Sequence, residues 1–454
     1  MNIRKHALLS ATALLALGLG LAACGEEKKE EQAAAPAAEQ PAAQPAAPAA
    51  EATQPAATET QQAATTEAAP ATAPTGADVK VGILFDITGP IANFIPPMMD
   101  SVTLATDEIN AGGGLLGGKM VAAVGDTTGS SQGAVDAATK LVNVENVAAI
   151  VGALMSGTTI AAANSVIIPT GVAQISPTAT SPDMTGLADN DWVFRVVPSD
   201  AYQGQVLAKL TMDQGVKSVA LTYANNDYAA PLAKAFADSY KALGGTIAAE
   251  VKHEEKQPSY TTELATLAKD KPEALVIIAY AGDSGLTLVK EALENGLFKR
   301  FIGTDGLRDN LLIEKIGADN LKDSFFTSPS SPKSEAADKF DALYTSKFQT
   351  TKDKIFIGQV YDSLMLAALA IQQAGSTDRA KVRDALRSVA NAPGEPVGPG
   401  DWAKAVELIK AGKDIDYTGA TGSMEFDAAG DVAGVIGHFV VDGTGYKEVG
   451  LVTP

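Results

Sequence analysis

Between residues 79 and 303, short apolar runs alternate with stretches whose apolar residues recur at helical spacing, and no other feature restricts the fold as strongly. VKVGILFDI at 79–87 reads as a buried strand, and Val102, Ala105 and Ile109 give 98–110 one apolar helical face. The alternation continues with a strand at 120–124, a helix at 134–144 with Ala138, Leu141 and Val142 inward, a strand at 148–151, a helix at 158–168 and a short strand at 173–175. A connecting stretch at 192–197, followed by Pro198-Ser199-Asp200, interrupts it. The pattern then restarts with helix 201–213, strand 218–223, helix 229–243, strand 246–251, helix 260–269, strand 274–280, helix 286–295 and strand 301–303. Strands that alternate with helices pair in parallel and are covered on both faces. Two such series predict an α/β chain of two doubly wound lobes with parallel-sheet cores.

After a strand at 325–329 the pattern turns helical, at 336–348, 358–373 and 379–389. An irregular loop at 393–399, a short helix at 401–411 and two strands at 423–426 and 434–441 close the chain. Three helices in a row do not build a third sheet, so they are expected to return and cover the first lobe. This assigns 78–198 plus 328–435 to lobe 1 and 199–327 plus 436–454 to lobe 2, joined by a hinge that the chain crosses several times.

The first 77 residues have a different composition. Arg4, Lys5 and His6 precede an apolar run at 7–21, which is too short to be read as a spanning helix and has the form of a signal peptide over 1–23. The run ends Leu21-Ala22-Ala23-Cys24-Gly25, which resembles a bacterial lipoprotein box and implies that cleavage leaves Cys24 as a lipidated N-terminus. Cys24 is the only cysteine, so the folded part has no disulfide, no cysteine nucleophile and no thiolate metal ligand. Residues 24–77 alternate Ala, Pro, Gln, Thr and Glu without large apolar side chains and are expected to be a disordered tether. At ~5–6 Å × √n its reach is about 40 Å. The formal net charge of −19, with no Lys/Arg cluster to interrupt it, excludes nucleic acid and anionic lipid as partners of the folded surface.

The glycine run GGGLLGGKM at 112–120 has the spacing of a nucleotide loop but the wrong flanks. It follows a helix and precedes a strand, and a helix C-terminus repels phosphate. It reads as a left-handed helix stop at Gly112 to Gly114 and a turn at Gly117 and Gly118. In open α/β sheets ligands bind beyond the carboxyl ends of strands. The loop GALMSGTT after the strand at 148–151 places Ser156, Gly157, Thr158 and Thr159 at a helix N-terminus, where hydroxyl and N–H groups attract a carboxylate. The loop SPTATSP at 176–182 is a second hydroxyl-rich segment of this kind. By position alone these residues serve either as caps and turns or as ligand contacts. Asp305 in GTDG is either a turn residue or an acid facing an ammonium group. Phe94, Tyr228 and Tyr280 offer either core packing or a stacking surface.

No catalytic set accompanies them. Outside 1–23 only His253 and His438 remain, both expected at the surface or at strand edges. HEEKQ at 253–257 lacks the second histidine of a zinc helix, and GALMSGTT lacks the first glycine of a nucleophile elbow. The chain is therefore read as a non-enzyme without metal or cofactor.

From residue 79 to 441 the chain resembles the leucine/isoleucine/valine-binding proteins, the type I periplasmic solute receptors of ABC importers. The segments that carry the resemblance are VKVGILFDITGPIANF, INAGGGLLGGKM, IVGALMSGTT, ISPTATSPDMT, FRVVPSDAYQG, NNDYAAPLAKAF, FIGTDG and TGSMEFDAAGDV, in that order. The resemblance implies two lobes closing on a ligand. Carried over by position, Ser156 and Thr180 hydrogen-bond an α-carboxylate, helped by backbone near Thr178, and Asp305 pairs with an α-ammonium. Phe94 replaces a tyrosine of the side-chain pocket, Tyr228 bears on the ligand backbone, and Phe356 matches an aromatic near the ligand side chain. Three departures mark this chain. Thr128 and Met155 occupy the positions of a disulfide found in some members, and Met155 reshapes the pocket beside Ser156. Asp305 is one methylene shorter than the usual glutamate, and Tyr280 lies adjacent to the place where a tyrosine is expected.

The resemblance implies a monomeric lipoprotein, in the periplasm or at the cell surface. It captures a small amino acid, aliphatic or branched-chain, and delivers it to an ABC importer permease, touching the membrane only through its lipid. Sensing on the same scaffold, or an amide or aromatic-acid ligand, are the alternatives.

Overall fold

The computed structural model describes residues 75–348 and 354–454. The expected signal peptide, the Cys24 lipidation site and the tether up to residue 74 lie outside the described residues.

The first sheet contains β1 (Gly76–Phe85), β2 (Gly118–Asp126), β3 (Ala149–Gly152), β4 (Ala173–Ser176) and β5 (Val193–Arg195). The order is β2-β1-β3-β4-β5 and every neighbouring pair is parallel. Side chains alternate across a strand, and β1 shows the consequence. Val81, Ile83 and Phe85 join one core, whereas Leu84 joins a second core on the opposite face. The second core is closed by α2 (Ser131–Asn143) and by α3 (Ser156–Ala162), which runs on through a π-turn at Ala163–Ile167 into α4 (Ile168–Thr170). On the first face lies α1 (Ile95–Ala111), opened by Pro96 and Pro97 at positions where a missing N–H costs nothing.

The glycine run ends α1 and turns into β2. Gly113 and Gly114 have positive φ and Gly112 does not, so the left-handed stop is one residue shorter than expected. Leu116 and Gly117, with φ of 54° and 78°, form a tight turn closed by reciprocal bonds between Leu115 and Gly118 of 2.7 and 2.9 Å.

The second sheet begins after α5 (Asp200–Asp213) with β6 (Ser218–Ala224), α6 (Ala229–Ala242), β7 (Thr246–His253), α7 (Thr261–Leu267), β8 (Ala274–Ile278), α8 (Leu286–Glu294), β9 (Phe301–Gly303), α9 (Asn310–Ile316) and β10 (Phe325–Ser330). The chain then forms α10 (Glu335–Phe348), α11 (Ile357–Ala374), α12 (Arg379–Ala390), β11 (Glu395–Val397), α13 (Trp402–Lys410), β12 (Ile415–Gly419) and β13 (Gly422–Ser423). Helix α11 is buried along almost its whole length, lying against α1, β3 and β4 of the first lobe. Finally β14 (Val435–Asp442) and β15 (Gly445–Val452) return to the second sheet, whose order is β15-β14-β10-β9-β8-β6-β7. The pairs β10–β14 and β14–β15 are antiparallel, and the other neighbouring pairs are parallel. The chain thus crosses between the lobes at 196–199, 331–334 and 424–434.

Several expectations need correction. β1 starts at Gly76, inside the stretch read as tether. The connecting stretch at 192–197 contains β5, a strand of three buried residues, too short to show a period. The loop at 393–399 contains β11, and the strand expected at 423–426 is instead the β12–β13 pair at 415–423. α9 and the final strand β15 add to the expected elements; β15 is an exposed edge strand with little apolar patterning.

Candidate functional site

The carboxyl ends of β1, β3 and β4 face those of β6, β8 and β9 across a cleft, and the lobes touch there. Asn93 donates to Asp309 Oδ2 at 3.3 Å, Gly157 faces the Asp227 carboxylate, and Gly282 lies against the Pro90 carbonyl. Between these contacts is a narrow cavity of about 20 Å³. All nine residues singled out for ligand contact line it: Phe94, Met155, Ser156, Thr178, Thr180, Tyr228, Tyr280, Asp305 and Phe356. Ile91, Met98, Leu154 and Gly306 complete the wall.

The first-lobe side is set by a buried acid that the sequence reading missed. Asp86, just past β1, accepts hydrogen bonds from Thr127 Oγ1 (2.6 Å) and from the backbone N–H groups of Leu154 (2.8 Å) and Met155 (3.1 Å). Burial pushes its pKa up, and these donors oppose the shift. Asp86 thereby pins the segment that delivers Ser156 to the start of α3. Thr158 and Thr159 both spend their hydroxyl protons on Met155 O, at 2.9 Å each. The Thr178 hydroxyl is likewise committed, to Leu154 O at 2.6 Å. Ser156 is different: its Oγ accepts the Ser181 N–H at 3.3 Å, which leaves its own proton to donate. Of the hydroxyls in the loop after β3, Ser156 alone lines the cavity.

Behind the second loop, Arg195 of β5 is fully buried. Its Nη1 donates to the carbonyls of Thr180 (2.9 Å) and Ser181 (2.8 Å), while Nε and Nη2 grip Asp431 at 2.7 and 2.6 Å. Such a forked pair fixes geometry as well as charge.

The second-lobe side is built on Asp305, in the loop after β9. Gln203 Nε2 donates to its Oδ1 at 2.8 Å, and Tyr228 donates at 3.2 Å. The same tyrosine oxygen accepts from Thr304 Oγ1 (2.7 Å) and the Gly306 N–H (3.2 Å). Tyr280 stacks on Tyr228 with ring centroids 5.0 Å apart. Burial raises the Asp305 pKa, opposed first by the Gln203 bond and then by its own backbone, Tyr228 and the Arg308 charge. Burial, reinforced by Asp305, drives both tyrosines well above the usual phenol range, so they remain protonated donors. Phe356 reaches the cavity from the start of α11 with a left-handed backbone, φ 58°, uncommon for a bulky side chain.

The wall therefore has hydroxyl and N–H groups at one end, a carboxyl at the other, and an apolar flank of Ile91, Phe94, Met98, Leu154, Met155 and Phe356. In chemistry that set of groups is complementary to a small zwitterion with an apolar side chain. Neither remaining histidine lines it. His253 ends the edge strand β7 but is buried, not at the surface. Its Nδ1 meets Thr222 Oγ1 at 2.8 Å and its Nε2 meets Ser284 Oγ at 2.9 Å. Burial lowers its pKa to about 4. His438 is half-buried on β14, edge-on to Phe325. Among the described residues no group of three side chains is arranged to hold a metal ion, and no helix is long and apolar enough to cross a membrane.

Residues 78–409 match the family model described as periplasmic binding protein. The Leu/Ile/Val-binding protein BraC3 of Rhizobium johnstonii is 31% identical over 314 residues, 67% of this chain and 82% of that protein. The chemotactic signal transduction system substrate-binding protein BasB of Halobacterium salinarum is 26% identical over 378 residues, 78% of this chain and 84% of that protein. Among solved structures, the branched-chain amino acid transporter substrate-binding protein LivJ of Streptococcus pneumoniae, in complex with isoleucine, superposes with a TM-score of 0.69 at 25% identity, covering 83% of this chain and 100% of that one. A solute-binding protein of an R. palustris ABC transporter, in complex with benzoate, superposes with a TM-score of 0.67 at 18% identity, covering 84% and 97%.

Proposed function

The chain belongs to the periplasmic binding protein family, the extracytoplasmic solute receptors of ABC transporters, and from that premise we propose that it captures an aliphatic α-amino acid between its closing lobes. One observation carries the reading: the Asp305 carboxyl stands at one end of a largely apolar cavity whose other end presents Ser156 and Thr180. In this reading Ser156, Thr180 and backbone near Thr178 hold the α-carboxylate. Asp305 takes the α-ammonium, with Tyr228 orienting it and Tyr280 backing Tyr228. Phe94, Met155 and Phe356 enclose the side chain.

The family resemblance to Leu/Ile/Val-binding proteins supports the branched-chain choice. A benzoate-like ligand carries no amine and would leave the Asp305 carboxyl buried opposite nothing, an unfavourable arrangement. The benzoate-bound neighbour is similar in fold alone.

We propose further that the two lobes, with 328–330 and 435 corrected to the second lobe because β10 and β14 carry them, move about the three crossing segments, and that the closed monomer docks on a permease. Lipidation at Cys24 would hold the protein on the membrane. A second reading, delivery of the ligand signal to a sensory partner, is favoured by the likeness to the substrate-binding protein of the Halobacterium salinarum chemotactic signal transduction system. Both share the ligand site.

Calorimetry on refolded, ligand-free protein tests the ligand reading. Titration with leucine, isoleucine and valine, and with amides and aromatic acids, should give binding for the first group. No binding by any α-amino acid would reject it.

A further inference from the structure

Helix α5 begins where the chain has just crossed from lobe 1 to lobe 2. Its first turn carries two fully buried polar side chains, Asp200 and Gln203, which the ligand reading does not use. Three residues apart, they lie on one face of the helix. The Asp200 backbone N–H donates to Thr180 O at 2.8 Å. The Gln203 amide nitrogen donates to Asp305 Oδ1 at 2.8 Å and approaches Thr327 Oγ1 at 3.4 Å. One turn of helix thus touches the carboxylate loop at one end and the ammonium acid at the other.

The two acids stand in different surroundings. Asp305 receives the Gln203 amide and the Tyr228 hydroxyl, with Arg308 adding positive charge. Neither carboxyl oxygen of Asp200 has a partner in full bonding geometry; the Thr180 hydroxyl and the Arg195 charge lie near it, and burial and Asp305 outweigh them. A dry, unpaired carboxylate is so costly that the group binds a proton instead. Asp200 and Asp305 are also close enough to repel, which disfavours ionising both. The Gln203 amide can meet an ionised Asp305 only through its NH₂, and its Oε1 is left without a partner.

We propose that Gln203 is a positioning residue that decides which of two buried acids faces the ligand's amine as a carboxylate: it holds Asp305 charged and leaves Asp200 protonated. The site then offers one negative charge, which selects mono-amine ligands over diamines. This inference rests on the reading of Asp305 as the ammonium partner. The groups that face the pair are Tyr228 from the start of α6, Tyr280 from the loop after β8, Thr304 and Arg308 from the loop of Asp305 itself, Thr327 from β10, and Arg195 and Thr180 from lobe 1.

The test is calorimetry on the full chain from about pH 5 to about pH 9 with leucine and with 4-methylpentanoate, which lacks the amine. Gln203→Met removes the donor at similar volume, and Gln203→Glu replaces it with an acceptor. In Gln203→Met, leucine should bind about ten- to one-hundred-fold more weakly at the acid end. The loss should narrow as pH rises, because the acid limb of the affinity profile moves upward, and 4-methylpentanoate should change little. Gln203→Glu should move the limb further and decides the matter if Gln203→Met does not fold. A loss constant across pH and equal for both ligands, or no loss at all, overturns the proposal. Wild-type protein that binds no α-amino acid overturns the amino-acid reading as well, and that result is visible before any variant is made.

Discussion

Gly282 of the second lobe packs so closely against the carbonyl oxygen of Pro90 in the first that a β-carbon at 282 would overlap it. The backbone at Gly282 is not left-handed, and the three atoms nearest to an added β-carbon all belong to Pro90 of the other lobe. The effect of that atom falls on closure. Gly282→Ala, which adds that β-carbon and nothing more, should therefore fold with little change in thermal stability in the absence of ligand. It should weaken ligand binding by on the order of ten-fold or more, because it raises the energy of the one conformation that buries the ligand. Small-angle scattering checks the cause: the variant should stay extended at ligand concentrations that compact the wild type. Equal compaction would reject this role for Gly282.

The ligand reading makes a sharper demand on Asp305. Removing one member of a buried charge pair costs about 2–5 kcal/mol, on the order of a hundred-fold or more in affinity. Asp305→Ala should impose that loss on leucine while sparing the amine-free analogue. An equal loss for both ligands would show that Asp305 supports the loop and not the ammonium.

Arg195 connects the carboxylate loop to the third lobe crossing, because it holds two loop carbonyls on one side and Asp431 on the other. Arg195→Met removes the charged donor from Asp431 and from the carbonyls of Thr180 and Ser181, which keep only the neutral donors Thr185 Oγ1, the Asp200 N–H and the Met184 N–H. Breaking a buried pair in this way costs about 3–5 kcal/mol. Chemical denaturation should show a loss of that order, and leucine affinity should fall with it. A variant that loses stability but binds leucine as tightly as wild type would separate Arg195 from the site.

Why the cavity wall was legible in advance, and its support was not, follows from the range of the interactions. Ser156, Thr180 and Asp305 sit in loops directly after strands, and strand–helix alternation is a local pattern. Asp86 acts on Leu154 and Met155 from 68 and 69 residues away, and Gln203 acts on Asp305 from 102. No periodicity carries such pairings. The same limit hid β5 and the β11–β13 sheet, whose strands are two to five residues long and owe their existence to neighbours brought in by the fold. His253 does sit at a strand edge, and its burial there was illegible for a related reason. Its partners Thr222 and Ser284 come from other segments, and they make burial of an imidazole tolerable.

His253 and Asp362 should tilt stability in opposite directions over the same pH window. Asp362, on α11, is buried and accepts from Tyr417 OH, Ala420 N, Thr421 N and Thr421 Oγ1, yet burial outweighs these donors and raises its pKa to about 6. A carboxyl with a raised folded pKa favours the folded state fully below its unfolded value of 3.8, and that advantage disappears as pH rises through about 6. His253 has the reverse sign. With a folded pKa of about 4 against 6.5 unfolded, it favours the folded state above 6.5, and the advantage disappears as pH falls through about 4. Each contribution is limited to about 3 kcal/mol by the size of the shift. The wild-type curve should therefore be flatter between about pH 4 and pH 6 than either group alone would make it. His253→Gln, which can still bond Thr222 and Ser284, should expose the Asp362 slope, with stability falling as pH rises. Asp362→Asn should expose the histidine slope, with stability falling as pH drops. Denaturant midpoints across the window read both slopes, and parallel curves for wild type and the two variants would refute the assignment.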